Sequence, residues 1–238
     1  MTINRNWLAV LTLLANCACT CQGPTMVPPP RMATGGAPVS YKPGGGQVRL
    51  SGGGAFTADR TCWGGEGTSA ADGQVTLGVT RMLALEASVF WLPGVGDSVT
   101  MGALGLRVSP ALYRVFRFSL SAGAGLGRGG GWSPTQQGSQ NGPFEPSDEL
   151  AAGGYLDLNI GAWIGDNVGL YLLARFQAAG SRDLPTTFWT EVLGGVEVGL
   201  GRPILLGVEL GLVHYTNSID HRVGGLALGT LGVRWGRI

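Results

Sequence analysis

Residues 155–176 read YLDLNIGAWIGDNVGLYLLARF. Apolar residues alternate with polar or small ones up to Ile164, the triplet Gly-Asp-Asn follows at 165–167, and the alternation resumes at Val168. Apolar residues at every second position are typical of a β-strand with one apolar face. Glycine, aspartate and asparagine are turn residues. The stretch therefore predicts a β-hairpin whose apolar side chains all lie on one face.

The same pattern recurs along the chain from Gln47 to the C-terminus. Ten alternating segments can be distinguished, with apolar positions that include Val48, Val75, Leu85, Leu104, Leu120, Leu158, Leu170, Val196, Val208 and Val233. No segment has a helical period, and glycine, which destabilises helix interiors, accounts for 43 of the 238 residues. The sequence predicts an all-β, antiparallel up-and-down barrel of about ten strands over residues 47–238. Eight strands would result if the first hairpin were assigned elsewhere.

Connections of two lengths alternate between these segments. Short ones are expected around Arg81 and Pro110, at 165–167 and at 201–203, whereas longer ones are expected at 58–73, 93–97, 128–153, 179–188 and 216–222. Short turns on one side and longer loops on the other are typical of transmembrane barrels. With an even number of strands, both termini fall on the side of the short turns.

This arrangement resembles the small outer-membrane β-barrels of the OmpA and OmpX type. The resemblance is carried by segments such as LGVTRMLALEA at 77–87 and SAGAGLG at 121–127. It implies an integral barrel of the bacterial outer membrane, in contact with membrane lipid, with its short turns in the periplasm and its long loops outside the cell.

A soluble barrel of the lipocalin type would also have one apolar face. Composition favours the membrane, since only 13% of residues are charged, against about 25% in soluble domains. Aromatic residues near the segment ends are expected to form two interfacial girdles. They are Phe56, Trp91, Phe176 and Trp189 on the loop side, and Phe116 and Trp235 on the turn side.

The N-terminal residues have the form of an export signal. Arg5 precedes an apolar run from Trp7 to Ala15, which is too short to span a bilayer as a helix. The tetrapeptide Leu-Ala-Asn-Cys ending at Cys17 resembles a lipoprotein cleavage site, which makes Cys17 a candidate for lipidation; plain secretion is the alternative. Residues 1–21 are therefore assigned to a leader. Residues 22–46 are rich in proline and glycine and are predicted to be a tether, or else a proline-rich ligand for a partner domain.

Charged residues on the non-lipid faces of the strands are balanced in sign. Five carboxylates stand against five guanidinium groups: Glu86, Asp157, Glu191, Glu197 and Glu209 with Arg49, Arg107, Arg117, Arg175 and Arg234. Charges in a narrow interior are costly unless they are paired, so the balance predicts a network of ion pairs that fills the lumen. A barrel of about ten strands has little further space. A small pore for ions or solutes is the alternative.

Signals of catalysis and of cofactor binding are weak. His214, Ser218, Asp220 and His221 bring a Ser, a His and an Asp close together at the predicted outer rim, and a rim hydrolase or protease is one interpretation. A solvated loop pair is the simpler one, and we expect no enzymatic activity, no metal and no cofactor. The net charge of +1 argues against a nucleic-acid partner, which would require a strongly basic face.

The longest predicted loop, 128–153, carries Trp132, Phe144 and several prolines. Loops of this length tend to be functional or disordered, so it could bind an extracellular ligand or protein, or could simply cap the barrel. Cys62 is the only thiol in the barrel region. It could be a free surface thiol or could pair with another chain.

Overall fold

The protein is a closed barrel of ten antiparallel strands, each hydrogen-bonded to its neighbours in sequence, with β1 paired to β10. The computed structural model describes residues 35–58, 66–92, 99–110, 115–128, 150–165, 167–180, 186–201, 203–216 and 221–237. The strands are β1 (Tyr41–Ala58), β2 (Glu66–Gly78), β3 (Leu83–Leu92), β4 (Val99–Val108), β5 (Phe116–Arg128), β6 (Leu150–Ile164), β7 (Val168–Gly180), β8 (Thr187–Gly199), β9 (Ile204–Thr216) and β10 (His221–Arg237). The all-β fold with ten strands, rather than eight, is confirmed.

The barrel closes with a large stagger between its strands. A path of paired residues that leaves β1 at Gly46 and passes through β2 to β10 returns to β1 at Ala58, twelve residues further along. Such a stagger requires the strands to tilt by about 35–45° from the barrel axis. Because the sheet is closed, no strand edge is left unpaired.

The two faces of the wall differ as the alternation predicts. In β6, Leu156 is 47% exposed on the outside, whereas its neighbour Asp157 is 3% exposed and faces the lumen. Large apolar side chains on the outside are similarly exposed in all ten strands. None of the described residues forms a helix with the length and apolarity needed to cross a bilayer.

The aromatic residues at the strand ends agree with the prediction, with one correction. Trp91 and Phe176 on the loop side, and Phe116 and Trp235 on the turn side, are exposed on the outer surface. Trp189 was placed among them, but it is 4% exposed inside the barrel, and the adjacent Phe188, 56% exposed, takes the outer position. Trp189 shares the face of Glu191, two residues along, because side chains alternate strictly in a strand. The side chain of Phe56 is not among those described.

Several strands extend further than predicted. β2 begins at Glu66, so much of the expected 58–73 connection is strand, and β6 begins at Leu150. The side of the short turns also includes 109–115, which is no shorter than several connections on the opposite side. At the N-terminal end β1 begins at Tyr41 rather than Gln47, and residues 35–40, expected to be part of a tether, are buried.

Candidate functional site: the barrel lumen

One row of ion pairs runs directly across three neighbouring strands. Asp157 on β6, Arg175 on β7 and Glu191 on β8 are register partners. Arg175 donates to both oxygens of Asp157, from Nε at 2.7 Å and from Nη2 at 2.8 Å, and donates from Nη1 to Glu191 at 2.8 Å. The guanidinium and both carboxylates are buried. A planar guanidinium that serves two carboxylates in this way holds three strands in a fixed register.

A second cluster is centred on Arg49 of β1. Its Nη1 donates to Glu197 at 2.8 Å, and its Nη2 donates to Glu209 at 2.6 Å and to the Tyr171 hydroxyl at 3.2 Å. The Tyr171 hydroxyl in turn donates to Glu209. The side chains of Arg49, Glu197 and Glu209 are at most 3% exposed. The cluster joins β1 to the neighbouring strands β7, β8 and β9, and β1 reaches these strands only because the barrel closes through β10.

Two further groups extend the network towards the turns. Arg107 of β4 pairs with Glu86 of β3 at 2.5 Å, and Gln74 donates to the same carboxylate oxygen at 2.9 Å. Arg234 lies 3.9 Å from Glu197, and its guanidinium stands over the ring of Trp163, 4.5 Å from the centroid. A cation above an aromatic face is stabilised by the ring quadrupole.

The structure therefore brings nine of the ten predicted charges into these groups. Arg117 is the tenth, and it is half-buried near the turn-side end of β5. Asp72, buried in β2, was not predicted to face the lumen, because it falls within the connection expected at 58–73. Tyr171 and Asn159 were also missed as partners, although both lie on the lumen face of the alternating pattern.

A short segment of the chain enters the lumen from the turn side. Residues 35–40, which we call the plug, are buried and precede β1. Asn159 donates to the carbonyl of Gly36, and Trp163 Nε1 donates to the carbonyl of Pro38 at 3.1 Å. Ser40 donates to the carbonyl of Ser109 at 2.9 Å. Ala37, Val39 and Tyr41 form an apolar cluster with Trp163 and Tyr171.

Apolar side chains fill the lumen on the loop side of the Arg49 cluster. One group spans the barrel between β3 and β8; its members are Ala70, Phe90, Leu173, Leu193, Leu226 and Leu228. A second group is Met101, Ala103, Tyr155, Ala179, Trp189 and Val213. In β8, Leu193 and Trp189 both precede Glu197 and so lie nearer the loop end. Glu191, which belongs to the ion-pair row, lies between Leu193 and Trp189 on the same strand. Beyond the plug, ion pairs and apolar side chains therefore alternate along the lumen.

Glycines on the inner face make room for the large side chains. A Cβ at Gly195 would collide with the Tyr171 ring, and a Cβ at Gly105 or Gly123 would collide with Tyr155. The high glycine content therefore has a packing reason at these positions, because the Tyr171 and Tyr155 rings occupy the space that an added Cβ would fill.

The candidate rim site is not assembled among the described residues. His214 is exposed and shares the outward face of Leu210 and Leu212. Ser218 and Asp220 lie outside the described residues, and the side chain of His221 is not described. Cys17, Cys62 and residues 129–149 of the long loop are also outside them. The described ranges contain no group of three His, Cys, Asp or Glu side chains that could hold a metal ion.

We expect Tyr171→Phe to lower the free energy of unfolding in lipid vesicles by about 1–3 kcal/mol, because Glu209 would lose a hydrogen bond inside the lumen. A loss below about 0.5 kcal/mol would mean that the Tyr171 hydroxyl faces water rather than a buried carboxylate.

A closed antiparallel barrel with an apolar outside and a charged inside has the architecture of a transmembrane β-barrel. No protein-family model and no curated protein sequence matches the chain. Among solved structures it is similar to the β domain of the Bordetella autotransporter BrkA, with 13% identity, 81% of this chain and 99% of that chain covered and a TM-score of 0.51. It is also similar to an outer-membrane channel from Pseudomonas putida, with 8% identity, 85% and 99% covered and a TM-score of 0.50. The chain has the fold of bacterial outer-membrane β-barrels.

Proposed function

We propose that the protein is a non-enzymatic, integral component of a bacterial outer membrane, with a closed lumen and a structural or surface-interaction role of the OmpA and OmpX kind. The observation that carries this proposal is the filled interior. The plug occupies the turn side, and from there towards the loops the lumen is filled by buried ion pairs and by the buried side chains of Phe90, Leu193 and Trp189, which alternate with them.

The outer surface supports a membrane location. Leucine and valine side chains are exposed around the whole barrel, an arrangement that is favourable next to acyl chains and unfavourable in water. Tyr41 and Arg237 pair at the turn side, so both ends of the barrel chain lie there. We assign that side to the periplasm and the 128–153 loop to the cell surface, where it would contact an extracellular ligand or protein. The leader and lipidation at Cys17 would deliver and anchor the chain.

A small pore is the second candidate. It is favoured by buried polar atoms that have no hydrogen-bond partner among the described residues, such as Ser51 Oγ, Ser119 Oγ and Glu86 Oε2, since water could satisfy them. The apolar groups on the loop side oppose it, because a continuous water path would have to cross them. A rim hydrolase, whose activity would be lost in His221→Ala, is the third alternative.

Conductance distinguishes the closed barrel from the pore. Purified full-length protein in a planar bilayer is expected to give no steady single-channel steps above those of the bare bilayer. Correct insertion is checked by β-type circular dichroism and heat-modifiable gel mobility of the same sample. Regular steps from correctly folded protein would overturn the closed-lumen proposal and favour the pore.

A further inference from the structure

The plug is bound in the way that a protein binds an extended peptide. Its main-chain carbonyls at Gly36 and Pro38, two residues apart, accept hydrogen bonds from side chains of a single strand, Asn159 and Trp163 of β6. No residue of the plug belongs to a strand. The segment is therefore held by side chains that line the lumen, rather than by extension of the sheet.

The cradle leaves little room for larger side chains at plug positions 35 to 38. A Cβ at Gly161 would lie 2.7 Å from Pro38 Cδ, and a Cβ at Gly169 would lie 3.0 Å from Ala37 Cβ. On the plug itself, a Cβ at Gly35 would collide with the Glu209 carboxylate and one at Gly36 with Arg49. Gly36 also has a φ of 137°, which side-chain-bearing residues rarely adopt. The shape of the cradle and the backbone conformation at Gly36 together favour a sequence of the Gly-Gly-Ala-Pro kind.

We propose that the turn-side half of the lumen is a peptide-binding site for extended segments with small side chains, and that residues 35–40 occupy it as a ligand supplied by the chain itself. The contacts that hold the plug are side-chain hydrogen bonds and apolar packing. The same contacts are available to a separate peptide of matching sequence. The plug then masks a docking site at the end of the barrel that carries both termini.

The first test measures whether the plug is seated in this cradle. In full-length protein with Cys17, Cys19, Cys21 and Cys62 replaced by Ser, Val39→Cys should react with a maleimide more slowly than Lys42→Cys by about tenfold or more, since a buried thiol reacts only on local opening. Val39 is buried and Lys42 is exposed. Equal rates at the two positions would overturn the proposal.

Filling the cradle provides a specific control. Adding Gly169→Leu to Val39→Cys should raise the labelling rate towards that of Lys42→Cys, because the new side chain takes the space beside Ala37. Gly194→Leu, at a position where an added Cβ meets nothing within 4 Å, should leave the thiol protected. Heat-modifiable mobility confirms that each variant is folded. Protection that survives Gly169→Leu in folded protein would contradict the assigned site.

The second test measures binding in trans. In full-length Val39→Asp the chain's own segment cannot bury its new charge, so the cradle becomes accessible. A fluorescent peptide of residues 34–40, TGGAPVS, should bind this variant at least about tenfold more tightly than the unaltered protein, a difference of about 1.4 kcal/mol. The peptide TGGAPDS should not bind. Ala37→Asp serves as a second vacated variant if Val39→Asp does not fold, and equal or absent binding of TGGAPVS to the folded variant and the unaltered protein would overturn the proposal.

Discussion

Arg49→Met is expected to lower the free energy of unfolding, measured by reversible unfolding in lipid vesicles, by about 3–5 kcal/mol. Arg49 makes hydrogen bonds with Glu197, Glu209 and Tyr171 inside the barrel. Methionine would fill most of its volume but would leave two buried carboxylates with much of their positive partner removed. Breaking a buried ion pair from one side is costly because the remaining charge cannot be solvated.

Two further variants make this prediction specific. Arg81→Met, at an exposed position in the turn between β2 and β3, should change stability by no more than about 0.5 kcal/mol. Arg49→Met combined with Glu209→Gln should be less destabilised than the sum of the two single variants, because the second substitution removes one of the stranded charges. A loss below 1 kcal/mol for Arg49→Met would indicate a water-exposed pair and would contradict the enclosed lumen.

A charge introduced on the outer face should lower the free energy of unfolding by almost as much, because it would be placed in contact with lipid. Leu210 lies midway along β9 and is 62% exposed on the apolar surface. Leu210→Arg is expected to cost about 2–4 kcal/mol in lipid vesicles, the range for a cation near the bilayer midplane. The cost arises from placing the guanidinium among acyl chains rather than from any lost contact within the protein.

Position along the barrel axis supplies the control. Leu200 is exposed next to the turn between β8 and β9, where an arginine should cost only about 0–1 kcal/mol because it can reach the interface. If Leu210→Arg and Leu200→Arg had equal and small effects, the outer surface of the barrel would face water, and the membrane location would be wrong.

The local sequence was sufficient to predict which side chains face the lumen and which residues pair within one hairpin. Asp157 and Arg175 are equidistant from the centre of the turn at 165–167, so the predicted hairpin already makes them register partners. The error at Trp189 had a signal in the sequence, since strict alternation places it on the same face as Glu191. The prediction placed Trp189 outside because it lies near a strand end. The alternation of side chains between the two faces is the stronger constraint, and it places Trp189 inside.

The partners of Arg49 could not be predicted in the same way. Glu197 and Glu209 are more than 140 residues away in sequence, and they reach Arg49 only because β1 closes against β10 with the stagger of the whole barrel. The sequence predicted that the lumen charges balance in sign, but the choice among partners depends on strand tilt and on the level of each residue along the axis. Those quantities are properties of the closed sheet, not of any single strand.

Residues 35–40 show most clearly the difference between what the local sequence predicts and what the closed barrel decides. Their proline and glycine content correctly excludes a strand or helix, because such a segment cannot form a core of its own. The burial of residues 35–40 depends instead on Gly161 and Gly169. These two glycines, more than 100 residues away in sequence, leave the space in the lumen that Pro38 and Ala37 occupy. Alternation, turn residues and composition determined the ten strands and their two faces, since these depend on nearest neighbours and on the surrounding medium. Barrel closure decided which charges meet and what fills the lumen, since those contacts exist only after the first strand has met the last.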